Sequence, residues 1–532
     1  MTELNINDNA TATQMAEAIF GDGVQVVNAS TNGASNPNYT GDNDSSGIYT
    51  GGDAIAPGVT PGDTGVILST GDLDFFTRPS ATNTNQSGST SSSSSGPNNN
   101  ADFNALAGTN TFDAAFLDVD FIPTGDTMTI QFVFASEEFP EYSNTEFNDV
   151  VGVWVNGSVV PLAVNGATAS AAVGDVNQVD NSNLYNDNTQ DQFNTEMDGF
   201  TVTLSLTMAV NPGVVNSIRI GIADTSDNNY DSALLIAGDS IQTVLIAEDD
   251  TESIYPDGTR ILDVLANDSS ASNSVLTITH INGQAVTAGQ SVTLPSGDVI
   301  TLNADGTFTI DADNDADDFN FTYTIEDDNG ITDVGLVNVD KIPCFTSGTM
   351  IETDRGPRLV ESLLPDDLVL TKDNGLQPLR WIGRRMVPAA GNFAPIEIAA
   401  NTFGSHAKLL VSPQHRVLIR DSLADLLFGE PEVLVAAKDL VNDKKVRRKE
   451  GGQVEYIHLL FDAHEVVFSD GLATESFLPG KQTSAMFEAD IIKEICTIFP
   501  ELDPETGDGY SDAARRMLKS YEGQLLAQHL AA

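Results

Sequence analysis

Two cysteines stand in 532 residues, Cys344 and Cys496. A thiol can attack the carbonyl on its own N-terminal side, here that of Pro343, through a five-membered ring, turning an amide into a thioester. The amide is planar and resists attack, and its nitrogen must gain a proton before it leaves, so a working thiol needs acid and base groups close by. Cys344 is the candidate for that chemistry. Cys496 lies in the apolar stretch IIKEICTIFP and reads as packing. The Cys and His spacings offer no four-ligand zinc set. The remaining chemistry-bearing residues carry oxygen. Glu137, Glu138, Glu141, Asn148 and Asp149 gather after one strand, and Asp224, Asp227 and Asp231 gather beside Tyr230. Hard oxygen donors at turns suit Ca²⁺. Asp and Asn also satisfy backbone donors in the turns of any acidic protein, so both readings stand. A glycosidase pair built on Glu137 and Glu138 is disfavoured, because adjacent strand residues point to opposite faces. Asp311 to Asp318 (DADNDADD) is no EF-hand loop, lacking Gly at the sixth position and Glu at the twelfth.

The elements that must position these groups are read from composition. Lys plus Arg number 24 against 77 Asp plus Glu, a net charge of −53. Such a field repels phosphate, so binding of nucleic acid or anionic lipid through a general basic surface is excluded. The one basic run, Lys444, Lys445, Arg447, Arg448 and Lys449, reads as a solvated hairpin loop. No run of about eighteen apolar residues spans a membrane, and the first residues lack a signal-peptide pattern. Cysteine is too sparse for a disulfide scaffold.

Before Lys341 the only cations are Arg78, Arg219 and Arg260, which sets a domain boundary there. Ahead of it, short alternating strands such as Thr127 to Phe134, Val150 to Val155 and Ile218 to Ile222 are parted by Asn, Asp and Gly turns, the pattern of a β-sandwich. A second break near Thr243 to Asp250 opens about ninety residues with seven strand signals, enough for one Ig-like sandwich. Ser87 to Asn100 (SGSTSSSSSGPNNN) reads as a mobile surface loop, because it has nothing apolar to bury. After the last strands, Ala489 to Ile498 and Ala513 to Leu530 carry helical spacing, the second at Met517, Leu518, Tyr521, Leu525 and Leu526.

Three resemblances follow from motifs. FASEEFPEY (Phe134 to Tyr142), FNDVVGVW (Phe147 to Trp154), ILSTG (Ile67 to Gly71), MDGFTVTL (Met197 to Leu204) and IADTSDNNYDSALL (Ile222 to Leu235) resemble the choice-of-anchor L family of bacterial surface modules. AEDD, ILDVLANDS, LNADGTFTI, FNFTYTIEDDNG and ITDVGLVNV, within Ala247 to Val339, resemble the cadherin-like or Ig-like repeats of secreted adhesins. That likeness implies Ca²⁺ at the sandwich ends, with Asp249, Asp250, Asn267, Asp268, Asp327 and Asp328 as candidates, joining Glu137, Glu138, Asp224 and Asp231 above. CFTSGTMIETDRGPRLVESLLPDDLVLTKDNG (Cys344 to Gly375), LLVSPQHRVLI (Leu409 to Ile419) and YIHLLFDAHEVVFSDGLATESF (Tyr456 to Phe477) resemble the Hint domain shared by hedgehog C-terminal regions and inteins. The expected layout is therefore mainly β. Two sandwich-like modules at 12–242 and 247–340 precede an all-β Hint horseshoe at 344–480 and a helical extension at 481–532.

The Hint resemblance assigns roles. Cys344 is the nucleophile at the Pro343–Cys344 bond. Ser412-Pro413-Gln414-His415 matches the family's Thr-x-x-His element, so His415 donates a hydrogen bond or proton to the scissile nitrogen and Ser412 helps hold it. His464 and His458 are alternative bases, and Ser476 falls where hedgehog proteins carry a second Cys. The chain departs from its relatives at Pro343, where hedgehog proteins present Gly. It also lacks the terminal Asn with Cys, Ser or Thr that splicing needs, and it has no recognisable sterol segment. What the resemblance implies is single-turnover, cofactor-free self-cleavage, or acyl transfer to an acceptor. The alternative is a non-catalytic Ca²⁺-binding adhesin whose Hint fold is inert. Either reading expects an extracellular or surface protein of a bacterium with an unidentified extracellular ligand or acyl acceptor, exported by a type I-like route without a signal peptide.

Overall fold

The computed structural model describes residues 2–478, apart from 33–44, 78–89, 165–168, 255–258, 313–317, 342–343, 390–393 and five single positions. In the tail it describes 499, 510–511, 513–518, 522–523 and 525–527. Pro343, Cys496 and the helix expected over Ala489 to Ile498 lie outside the described residues. The chain is mainly β.

The first unit packs two antiparallel sheets. One runs in the order Val24–Thr31, Thr111–Pro123, Asn216–Thr225, Val150–Val155, Ser158–Val159. The other centres on Thr127–Ser136, flanked by Ser232–Ala237 and Leu204–Ala209. Alternation decides which faces meet. In Thr111–Pro123 the residues Leu117, Val119 and Phe121 enter the core while Asp118 and Asp120 point out. Thr127–Ser136 is buried almost throughout, on both of its faces. Ile130, Phe132 and Phe134 face the other sheet, whereas Val133 and Ala135 join a second core with Ile67, Phe200 and Leu235. A helix, Ala12–Ile19, closes one edge, begun by a reciprocal capping box between Thr11 and Gln14.

The serine-rich stretch corrects the reading from composition. Of Ser87 to Asn100, Thr90 and Ser94 are buried. The Ser92 N–H and hydroxyl both donate to the Asp231 carboxylate, at 2.8 and 2.6 Å, and the Thr90 N–H donates to Glu137 at 3.1 Å. Polar partners rather than apolar area hold these residues in place.

The second unit sets Asp250–Ile254, Thr332–Lys341, Phe319–Glu326 and Thr277–Ile281 against Thr259–Leu262, Phe308–Asp311, Val299–Leu302 and Ser291–Thr293. Phe308, Ile310, Phe321 and Tyr323 fill the space between. It meets the first unit through Leu336, which joins that unit's core, and through Asp333, which accepts from the Thr129 hydroxyl at 2.9 Å.

The third unit also has two sheets. One orders Trp381–Pro388, Gln453–Leu460, Phe345–Thr346, Leu409–Val411, Ile396–Ile398 and Val446–Arg448. The other carries Val466–Ser469, Leu472–Glu475, Arg416–Arg420 and Glu432–Ala436. The basic run is thus partly strand rather than loop, and Arg447 and Lys449 gather with Lys408 on the buried Glu397. The described tail is helical at 522–523 and 525–527. Ahead of that, Met517 forms a parallel bridge with Leu434, whose N–H donates to the Arg516 carbonyl at 2.8 Å and whose carbonyl accepts from the Leu518 N–H at 2.9 Å.

Candidate active site

Strand pairing brings the chemistry together. Phe345 pairs with Ile457 on one side and Val411 on the other. The residue before Phe345 is Cys344, the residue after Ile457 is His458, and the residue after Val411 is Ser412. A two-residue strand between two neighbours therefore places a thiol, an imidazole and a hydroxyl at one point from three distant parts of the chain.

The thiol is buried, and its Sγ lies 3.3 Å from His458 Nε2. The Cys344 N–H donates to Ser412 Oγ at 2.7 Å, and the Ser412 N–H donates back to the Cys344 carbonyl at 2.9 Å. That first N–H belongs to the peptide bond between residues 343 and 344, so Ser412 grips the nitrogen that would leave. A turn, closed by the His415 N–H on the Ser412 carbonyl at 3.1 Å, folds His415 back under the same strand. Its ring rests on Phe345 at 4.3 Å between centroids. It is fully buried, and neither ring nitrogen has a hydrogen-bond partner among the described residues. Burial, and after it the neighbouring His458, Arg416 and His464, push its pKa down to about 3. His415 is a neutral imidazole at physiological pH.

His464 sits differently. Its Nδ1 accepts from the Ala514 N–H at 3.0 Å, which leaves the proton on Nε2, facing the Ser476 carbonyl at 3.2 Å. Its own N–H donates to Ser511 Oγ at 2.7 Å. Burial lowers its pKa to about 4. Both nitrogens are occupied, and the ring's nearest carboxylate, Glu475, is 3.8 Å away and already takes the Arg416 N–H. Of the two bases that the sequence leaves open, the structure brings His458 to the thiol and ties His464 into the fold. Ser476 uses its hydroxyl to accept from the Glu465 N–H at 2.9 Å.

Three aromatic residues escaped the sequence reading. Tyr456 packs on Cys344, Phe345 carries His415, and Phe477 meets the His458 ring edge-on at 5.5 Å. Each lies one or two positions from a named site residue, and that adjacency is the only signal the sequence offers.

Family models match three stretches: Choice-of-anchor L domain over residues 4–242, Bacterial Ig domain over 236–340 and Hint domain over 343–481. Residues 343–481 thus match a Hint domain, about a quarter of the chain. Its two leading modules are of kinds that point to a surface or extracellular protein, and no helix among the described residues is long and apolar enough to cross a membrane. Among solved structures, the chain is similar to an AceL NrdHF class 3 split intein variant, at 16% identity and TM-score 0.18, covering 25% of this chain and 97% of that one. The gp41-1 intein stands at 12% and 0.17, covering 25% and 97%. The M60 catalytic domain with CBM51 domains of Clostridium perfringens ZmpB stands at 8% and 0.13, covering 69% and 34%. No curated protein matches the chain. The tail segment at 510–518 lies beyond the matched Hint residues, yet it supplies the Ser511 and Ala514 contacts that hold His464.

The carboxylates split into two places. In the first module, Glu137, Glu138, Asp149, Asp224 and Asp231 are all buried. Asp149 accepts from the Thr225 N–H at 2.9 Å and the Ser232 hydroxyl at 2.7 Å. Burial pushes Glu137 up to about 8, Glu138 to about 9 and Asp149 to about 8, while Asp224 is raised well above its usual range. In the Ig module, Asp250 and Asp268 share the Tyr323 hydroxyl, each at 3.1 Å, and Asn267 donates to the carbonyls of Glu248 and Asp249. Asp249 accepts from the Leu336 N–H at 3.1 Å. Asp327 closes its own turn on the N–H groups of Asn329 and Ile331, and Asp328 faces the Val275 N–H. Among the described residues, no three Asp, Glu, His or Cys side chains are arranged to hold a metal ion.

Proposed function

We propose that the Hint domain cuts its own chain before Cys344 through a thioester. The observation that carries this reading is the pairing of a buried thiol 3.3 Å from an imidazole with a hydroxyl 2.7 Å from the scissile nitrogen. His458 takes the proton from Sγ, and the thiolate attacks the carbonyl of residue 343. The C–N bond breaks as its electron pair goes to nitrogen, which takes up the proton that His458 had removed from Sγ and leaves as the free amine of Cys344. Ser412 holds that nitrogen, and His415, being neutral, acts by hydrogen bonding rather than as a charged acid. A water, thiol or amine then opens the thioester, releasing residues 1–343 or transferring them to an acceptor. Self-cleavage is a single turnover and needs no cofactor. Such a step would free or attach the two leading modules outside the cell.

The test is intact mass of the wild type and Cys344→Ala, with and without a thiol and hydroxylamine. Fragments ending at 343 and beginning at 344 in the wild type alone support the reading. A single uncleaved species under every condition overturns it and leaves the adhesin reading. That second reading draws on the kinds of the two leading modules alone, and a melting point raised by Ca²⁺ over EDTA is its measure.

A further inference from the structure

The outward face of the first module's sheet carries an arrangement that self-cleavage does not use. Register aligns Ser30 with Asp118, Asp118 with Arg219 and Arg219 with Trp154, so four adjacent strands contribute one residue each to a single row. The next row sets Asn28, Asp120 and Ser217 side by side. Because residues two apart on a strand share a face, both rows line the same groove, of about 290 Å³. Strands about 4.8 Å apart make the first row roughly 14 Å long, the span of a short oligosaccharide rather than of one ring.

The chemistry is that of sugar recognition. Trp154 is half-buried, its six-membered ring fills the space above Gly152 that any side chain would need, and its edge meets Phe103 at 5.1 Å. An indole fixed in this way can stack on the apolar face of a pyranose with little entropy to lose. Beside it the Arg219 guanidinium is locked by two bonds to Asp118, at 2.7 and 3.0 Å, by Asp102, and by the Phe116 ring 4.4 Å away. A clamped guanidinium and carboxylate present fixed donors and acceptors side by side, which match neighbouring hydroxyls. Ser30, Asn28, Ser217 and Asp120 add neutral and anionic acceptors. Three carboxylates against one cation disfavour sulfated, phosphorylated or uronic ligands.

We propose that this stripe binds a neutral oligosaccharide, with Trp154 as the stacking platform and the Arg219–Asp118 pair as the hydroxyl clamp. The experiment uses the full chain with Cys344→Ala, which keeps the modules joined whatever the Hint domain does. Cello-, laminari-, manno-, xylo- and N-acetylchitohexaose are screened by immobilised array and then by calorimetry. Binding of at least one hexaose is expected, weakened tenfold or more by Trp154→Ala. Because Trp154 also packs on Phe103, Asp120→Leu on the second row is read alongside it and is expected to weaken binding with an unchanged melting profile. No binding to any hexaose overturns the proposal. So does binding that survives both substitutions, or binding only of a lysine-rich control peptide.

Discussion

Replacing His458 and His464 one at a time separates base from scaffold. His458 Nε2 touches the thiol at 3.3 Å, and a positioned base contributes roughly 100- to 10,000-fold to a proton transfer. His458→Gln is therefore expected to slow thioester formation by that factor, about 3–5 kcal/mol of barrier. His464→Gln removes instead the contacts to the Ala514 N–H and the Ser476 carbonyl. Two hydrogen bonds at about 1 kcal/mol each put the loss into stability, while the rate per folded molecule changes by no more than a few-fold. The assay is single-turnover cleavage at residue 343, driven by excess thiol or hydroxylamine and followed by intact mass, with a melting curve for each variant. The reasoning is refuted if His458→Gln cleaves at the wild-type rate. It is equally refuted if His464→Gln matches His458→Gln in rate loss while melting like the wild type.

Ser412→Ala takes away the acceptor of the scissile N–H and is expected to slow cleavage at least tenfold, with Ser412→Thr restoring most of it; equal rates for all three would show that the hydroxyl is idle. The two ends of the chain are expected to answer pH in opposite directions. Glu137, Glu138 and Asp149 have folded pKa values of about 8, 9 and 8, above those of the unfolded chain, so the folded state holds extra protons from about pH 4 upward. The first module then loses stability as pH rises towards 8, by about 1.4 kcal/mol per unit for each group. His415 and His464, at about 3 and 4, fall below the unfolded value near 6.5. The Hint domain keeps their contribution above pH 6.5 and loses it as the pH drops towards 4. Calorimetric transitions that shift the same way between pH 5 and pH 8 would contradict this. Tyr323→Phe deletes the hydroxyl shared by Asp250 and Asp268 and is expected to cost the Ig module about 1–3 kcal/mol in urea unfolding; a neutral change would mean that those carboxyls find other donors.

What could be read from the chain and what could not divides along one physical line. Cys344, Ser412 and His415 could be named because each sits in a short motif of the Hint resemblance, although 68 residues part the first two. The choice between His458 and His464 was not, because it depends on Ala514, fifty residues downstream, reaching Nδ1 across the second sheet. Composition misjudged Ser87 to Asn100 for a related reason. It weighs apolar area, whereas Thr90 and Ser92 are held by carboxylates that lie far along the chain. In the tail, Met517, Leu518 and Leu526 have apolar spacing that a helix explains, yet residues 516–518 instead satisfy the Leu434 backbone on the edge of Glu432–Ala436. The row from Ser30 to Trp154 is the extreme case. Alternation tells which face each residue takes, but only register across four strands, joined through loops of very different length, tells that they stand side by side. The fold can thus be inferred from periodicity, while a site built across strands becomes visible only once pairing is known. The groove on the first module and the thiol site in the third unit share no residue, so substitutions at Trp154 and at Cys344 should act independently, each leaving the other's readout unchanged.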